Sequence, residues 1–230
     1  MIGFDPMYFL FVGPGMIVAL IATIKVRMTF SKYSSTAVSS GLTGAQAAKF
    51  MLERQGVYDV AIEAVDGFLS DHYDPTSRTL RLSPGVYQSQ SLSAIGVACH
   101  EAGHALQHAS GYAPLGLRNA IYPVASIGST LAFPLFFIGF LMSSHGPSIL
   151  MDIGIFLFAG AVVFSVLTLP VEFNASKRAV ALLGERGFLR ADELEGARKV
   201  LSAAALTYVA STAMAAMQLL RMFFLRQSRD

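Results

Sequence analysis

Three apolar stretches constrain this chain more than any other feature. Met7–Ile24, Ala120–Met142 and Ile149–Leu169 each approach the roughly 20 apolar residues that carry a helix across a bilayer. Lipid offers the backbone no hydrogen-bond partners, so such segments are expected as helices. Gly13-Pro14-Gly15 predicts a kink in the first, Pro134 lies inside the second, and Pro170 is expected to stop the third. Composition agrees: 53% of the 230 residues are hydrophobic and 14% charged, against about 25% charged in an ordinary soluble domain. A water-soluble globule and a disordered chain are both excluded.

Leu201–Leu220 is a fourth, more polar candidate. Thr207, Ser211 and Gln218 share one of its stripes, which could turn into a bundle or pack on the extramembrane part. Lys and Arg placement sets orientation. There are eight in 25–118, six in 171–199 and none in 143–148. The N-terminus is therefore expected outside and both long polar segments in the cytoplasm of a multi-pass plasma-membrane protein. Arg221, Arg226 and Arg229 would lie outside, against the rule, if the last helix spans. Met1–Pro6 has no Lys or Arg, so no cleavable signal peptide is expected. The net charge of +2 and the lack of a basic run interleaved with aromatics argue against a nucleic-acid partner. Cys99 is alone and cannot form an internal disulfide.

Between the spans, Thr43-Gly-Ala-Gln46 reads as a capping box opening a helix to about Arg54, stopped by Gly56. Tyr58–Val65 and Thr79–Ser83 read as strands, the latter flanked by turn chemistry at Asp74-Pro75 and Pro84-Gly85. A helix is expected over Ser91–Ala109, another over Glu172–Leu183, and a last one capped by Asp192.

The Ser91–Ala109 helix contains His100-Glu101-Ala102-Gly103-His104. Histidines four apart sit one above the other on one face, so their imidazoles can converge on one tetrahedral zinc ion. Glu101 points aside, where a carboxylate can act on water as a general base without being a ligand. Gly103 costs about 1 kcal/mol relative to Ala in a helix, which marks a close approach beside the pair. A third donor must come from elsewhere. His108 lies about 12 Å along the same helix from His100, at 1.5 Å per residue, and cannot reach. His72 and His145 read as ordinary polar positions. Glu172, Asp152 and Glu185 are the acidic candidates. Glu172 is favoured, because the hairpin of two spans returns the chain near the place it left. Asp152 sits near the far end of its span and Glu185 follows the helix stop at Gly184.

HEAGH followed by two spans and then Leu169-Pro-Val-Glu-Phe-Asn-Ala-Ser176 resembles the YugP-like family of bacterial membrane-bound neutral zinc metallopeptidases, distantly similar to HtpX-like membrane proteases. The resemblance covers nearly the whole chain. It implies a gluzincin-type site: one zinc ion per chain on His100, His104 and Glu172, with Glu101 as general base. Many gluzincins hold the first histidine with an Asp four residues after the ligand Glu. Here that position is Ser176, so Ser176 or Asn174 is expected to serve instead. The resemblance further implies that Thr79, Leu80, Arg81, Leu82 and Ser83 form an edge strand that binds substrate backbone. The expected fold is a mostly α-helical integral membrane protein with a small α+β metalloprotease domain carrying the HExxH helix. Its parts are an N-terminal span (1–30), a cytoplasmic part with the edge strand and HEAGH helix (31–118), a transmembrane hairpin (119–170), and a segment with the third ligand and a long last helix (171–230). The expected function is zinc-dependent endopeptidase, with the bilayer and a polypeptide substrate as partners. A site-2-type intramembrane protease using Asp152, or a non-enzymatic metal-binding or transport protein, are the alternatives.

Overall fold

The computed structural model describes residues 6–67, 70–143, 146, 148–185 and 188–229. In chain order the elements are α1 (Pro6–Ser34), α2 (Gly44–Arg54), β1 (Ala61–Ala64), β2 (His72–Asp74), β3 (Thr79–Leu82), α3 (Pro84–Tyr87), α4 (Leu92–Ala109), α5 (Ala113–Met142), α6 (Ile149–Leu183) and α7 (Ala191–Gln227). Four helices are long and apolar enough to cross a membrane: Phe9–Ser34, Ala113–Met142, Ile149–Leu183 and Ala191–Gln227. The protein is a mostly helical membrane protein with a small α+β part.

The chain divides into two compact units. The described residues of 1–22, 117–169 and 207–230 form the first. Its interior gathers Ala132 and Phe136 of α5, Met151, Ile155 and Phe158 of α6, and Met222 of α7. A Cβ on Gly154 would lie 2.7 Å from the Ala132 carbonyl oxygen, so the hairpin helices touch backbone to side, as small residues allow in lipid. Leu141, Phe156 and Val124 are among many large apolar side chains left exposed, a surface suited to acyl chains rather than to water. Ser211 bonds a carbonyl of its own helix, whereas Thr212 meets Ser165 of α6 at 3.4 Å.

Residues 23–116 and 170–206 form the second unit. The Thr43 capping box is present, with Gln46 N donating to Thr43 Oγ1 and Thr43 N to Gln46 Oε1. Packed on α2, the α4 helix buries most of its length, including Leu92, Ile95, Ala98, Ala102 and Ala105. The sheet order is β1-β3-β2, with β1 parallel and β2 antiparallel to β3. Leu80 and Leu82 are fully buried.

Three expectations require correction. Thr79–Leu82 is the central strand, paired on both sides, so it is not the edge expected from the family resemblance. Pro170 does not stop the third long helix, because α6 runs through it to Leu183. Its ring removes one amide and disfavours one turn, but the helix on either side is long enough to continue. Asp192 is not the cap of α7, which opens one residue earlier at Ala191. Glu193 instead reaches back to the Arg190 amide (2.8 Å) and also accepts from Ser39 N and Oγ (2.6 and 3.0 Å).

Candidate active site

Ser91 caps α4, accepting from the Ala94 amide at 3.3 Å, and this sets the phase of the helix. His100 and His104 then stand one turn apart with ring centroids 4.8 Å from each other. The α6 helix passes close beside them at Gly103, where a Cβ would lie 2.6 Å from the Ala175 carbonyl oxygen. Glycine is required there because the neighbour is backbone and cannot turn away. Gly103→Ala is expected to force α4 and α6 apart, costing about 1–3 kcal/mol as overpacking does and spreading the donors. Chemical unfolding together with zinc titration checks it, and unchanged values in both would refute the contact.

On α6, Glu172 directs Oε2 to within 3.2 Å of His100 Nε2 and 3.4 Å of His104 Nε2. It is 4% exposed and His100 is 8% exposed. Ligand bonds of about 2.0–2.2 Å at tetrahedral angles place neighbouring donors about 3.3–3.6 Å apart. Both Glu172–histidine distances match that spacing, the three donor atoms all lie within 4.8 Å of one another, and among the described residues they form the one cluster that could hold a metal ion. Asp152 and Glu185 are not part of it. Asp152 pairs with Arg226, and Glu185 is exposed just past α6.

Electrostatics mark the same place. Burial raises the Glu101 carboxyl above its ordinary range, helped by Glu172 and Asp71, while His100 and His104 oppose the rise. Burial disfavours a charged His104, yet the carboxylates of Glu172 and Glu101 outweigh it and leave that imidazole raised. Ser176 Oγ lies 3.0 Å from His100 Nδ1. Asn174 touches neither histidine; its Oδ1 accepts from Gln107 Nε2 (3.0 Å) and Arg178 Nε (2.9 Å). Gln107 Oε1 in turn stands 3.0 Å from His104 Nδ1.

The other singled-out residues lie apart from the cluster. His108 bonds the Tyr73 hydroxyl at 2.8 Å and His72 the Ser70 carbonyl at 2.7 Å, while His145 lies outside the described residues. Cys99 is fully buried, and burial pushes its thiol up to about 12. The expected substrate strand is spent on other bonds. Thr79, Leu80, Arg81 and Leu82 pair within the sheet, Arg81 also binds Asp74, and the Ser83 amide donates to Asp71 at 2.8 Å. Sequence reasoning missed Asp71 and Gln107. Gln107 had a signal, a polar residue three positions past His104 on an otherwise buried helix.

A buried His-His-Glu donor set beside a further glutamate, in a chain with four membrane-length helices, has the constitution of a membrane zinc hydrolase. The chain belongs to the family described as "Putative neutral zinc metallopeptidase", whose profile matches residues 8–227. It is 51% identical over 200 residues to "Putative membrane protease YugP" of Bacillus subtilis (strain 168), covering 87% of this chain and 88% of that one. No solved structure matches.

Proposed function

We propose that this protein is a zinc-dependent endopeptidase of the plasma membrane, with one ion held by His100, His104 and Glu172 and its active site on the cytoplasmic side. The observation that carries the reading is the convergence of those three donors, all within 4.8 Å of one another, beside Glu101. Zinc, when bound, supplies a Lewis acid for the scissile carbonyl and acidifies water. Glu101 takes the proton of the attacking water and returns it to the leaving amine, so one carboxylate serves as base and then as acid. Ser176 orients His100 from behind. One turn past Glu101 on α4, Ala105 and His108 line a cleft of about 450 Å³ with Tyr73 and Arg178, which the three donors and Glu101 do not themselves line. It offers room for substrate side chains.

The test is cleavage of an unfolded polypeptide by the purified full chain in lipid nanodiscs. Internal cuts that vanish on chelation and return with zinc are expected. Release of terminal residues only would overturn the endopeptidase reading, and metal-insensitive cleavage would overturn the zinc reading.

Topology is open to a separate check. An introduced cysteine in 143–148 is expected to react with an impermeant thiol reagent outside intact cells, and one at Asp66 only after lysis. The buried, un-ionised Cys99 gives no background. External labelling at position 66 would place the site outside. In the first unit, Arg226 pairs with Asp152 and Arg229 lies over the Phe140 ring at 3.9 Å. Both arginines are thus engaged locally, which weakens their weight against the proposed orientation.

A further inference from the structure

We propose that Gln107 is a positioning residue of the metal centre: it holds His104 in the tautomer whose bare Nε2 faces the ion, and is itself held by Asn174 and Arg178. This rests on reading His100, His104 and Glu172 as the zinc site.

The chain of reasoning begins at Arg178, a side chain that can only donate. Its Nε lies 2.9 Å from Asn174 Oδ1, so the atom of Asn174 at that contact must be the oxygen. Gln107 approaches this same Oδ1 at 3.0 Å and the Val171 carbonyl at 2.8 Å. Both are acceptors, and only the amide NH2 can serve them. Gln107 Oε1 is therefore the atom 3.0 Å from His104 Nδ1. An amide oxygen cannot donate, so the proton sits on Nδ1. A neutral His104 then has its lone pair on Nε2, 3.4 Å from the Glu172 carboxylate. Lone pair and carboxylate repel each other unless a cation lies between them.

His100 is held differently. Its Nδ1 meets the Ser176 hydroxyl at 3.0 Å, and a hydroxyl can donate or accept. Nothing at that contact selects a tautomer. The two histidines therefore depend unequally on their supports. Gln107 is fully buried, so water cannot replace it, and each step of the relay back to Arg178 is a direct contact.

Gln107→Met keeps the shape and removes both hydrogen-bonding functions. In the full chain, chelator competition is expected to show zinc bound about 10–100-fold more weakly, the range for residues that support a metal ligand. Ser176→Ala is expected to lose less. Nitrogen-15 spectra of histidine in the zinc-loaded wild type are expected to show a His104 Nδ1 proton protected from exchange, and Gln107→Met to lose that protection. Asn174→Asp keeps the acceptor for both donors and is expected to bind zinc normally, whereas Asn174→Leu leaves the amide only the Val171 carbonyl to fix it and is expected to weaken zinc binding. Wild-type affinity in Gln107→Met overturns the proposal. If that variant fails to fold, equal affinity in Asn174→Leu and wild type does so, as does coordination of His104 through Nδ1. A wild type that binds no zinc would instead overturn the underlying reading of the site.

Discussion

Glu101→Gln is expected to retain stoichiometric zinc and to lose turnover by at least the roughly 10²–10⁴-fold that a general base contributes. The amide has the shape of the carboxylate and should occupy the same half-buried position on α4. It cannot accept a proton from water at neutral pH. The donor cluster does not include Glu101, so the ion has no reason to leave. The two readouts separate the readings of the chain. A metal carrier or binding scaffold needs the ligands but no base, and would be indifferent to this change. Cleavage of an unfolded protein and elemental analysis, made on one preparation, check both halves. Near-normal cleavage would remove Glu101 from the mechanism.

The parts of this protein legible in its sequence are those written in short-range periodicity. Apolar runs at membrane length became α1, α5 and α6, and the Thr43–Gln46 pair opened α2 as its spacing indicates. His100 and His104 share a face because the helix repeat puts them there. What could not be read depends on contacts distant in sequence. The β2 strand is only His72–Asp74, and Asp74 also builds the turn by accepting from Thr76 N at 2.9 Å. Its turn chemistry therefore concealed a strand, and the hidden strand turned the expected edge, Thr79–Leu82, into the centre of the sheet. The proline at 170 does not end α6, since a helix of this length tolerates one interrupted turn. The role of Gln107 is not legible in the sequence because its partners, Val171 and Asn174, lie more than sixty positions away. Gly103 is the intermediate case: its place in a helix announced a close approach, but only the structure names the Ala175 backbone as the neighbour.

Glu172→Ala is expected to lose zinc and activity together, with a larger fall in affinity than the 10–100-fold of a supporting residue. Two imidazoles alone leave a zinc centre one protein donor short of the usual catalytic set. Neither of the other acidic candidates stands ready to substitute, because Asp152 is paired with Arg226 and Glu185 is exposed beyond α6. Loss of the fold is the alternative explanation to be separated. Alanine favours the helix that carries position 172, but in the metal-free chain the Glu172 carboxylate lies 3.4 Å from His104 and favours its protonated form, so some stability goes with it. Melting the metal-free variant beside the metal-free wild type separates that loss from the loss of the ion. Glu172→Gln preserves the volume while giving the ion a neutral donor, and is expected to bind more weakly than wild type but better than alanine. Asp152→Ala and Glu185→Ala should keep zinc and cleavage. Elemental analysis of the five proteins after gel filtration decides the matter, since stoichiometric zinc retained in Glu172→Ala would refute the assignment even if activity were lost.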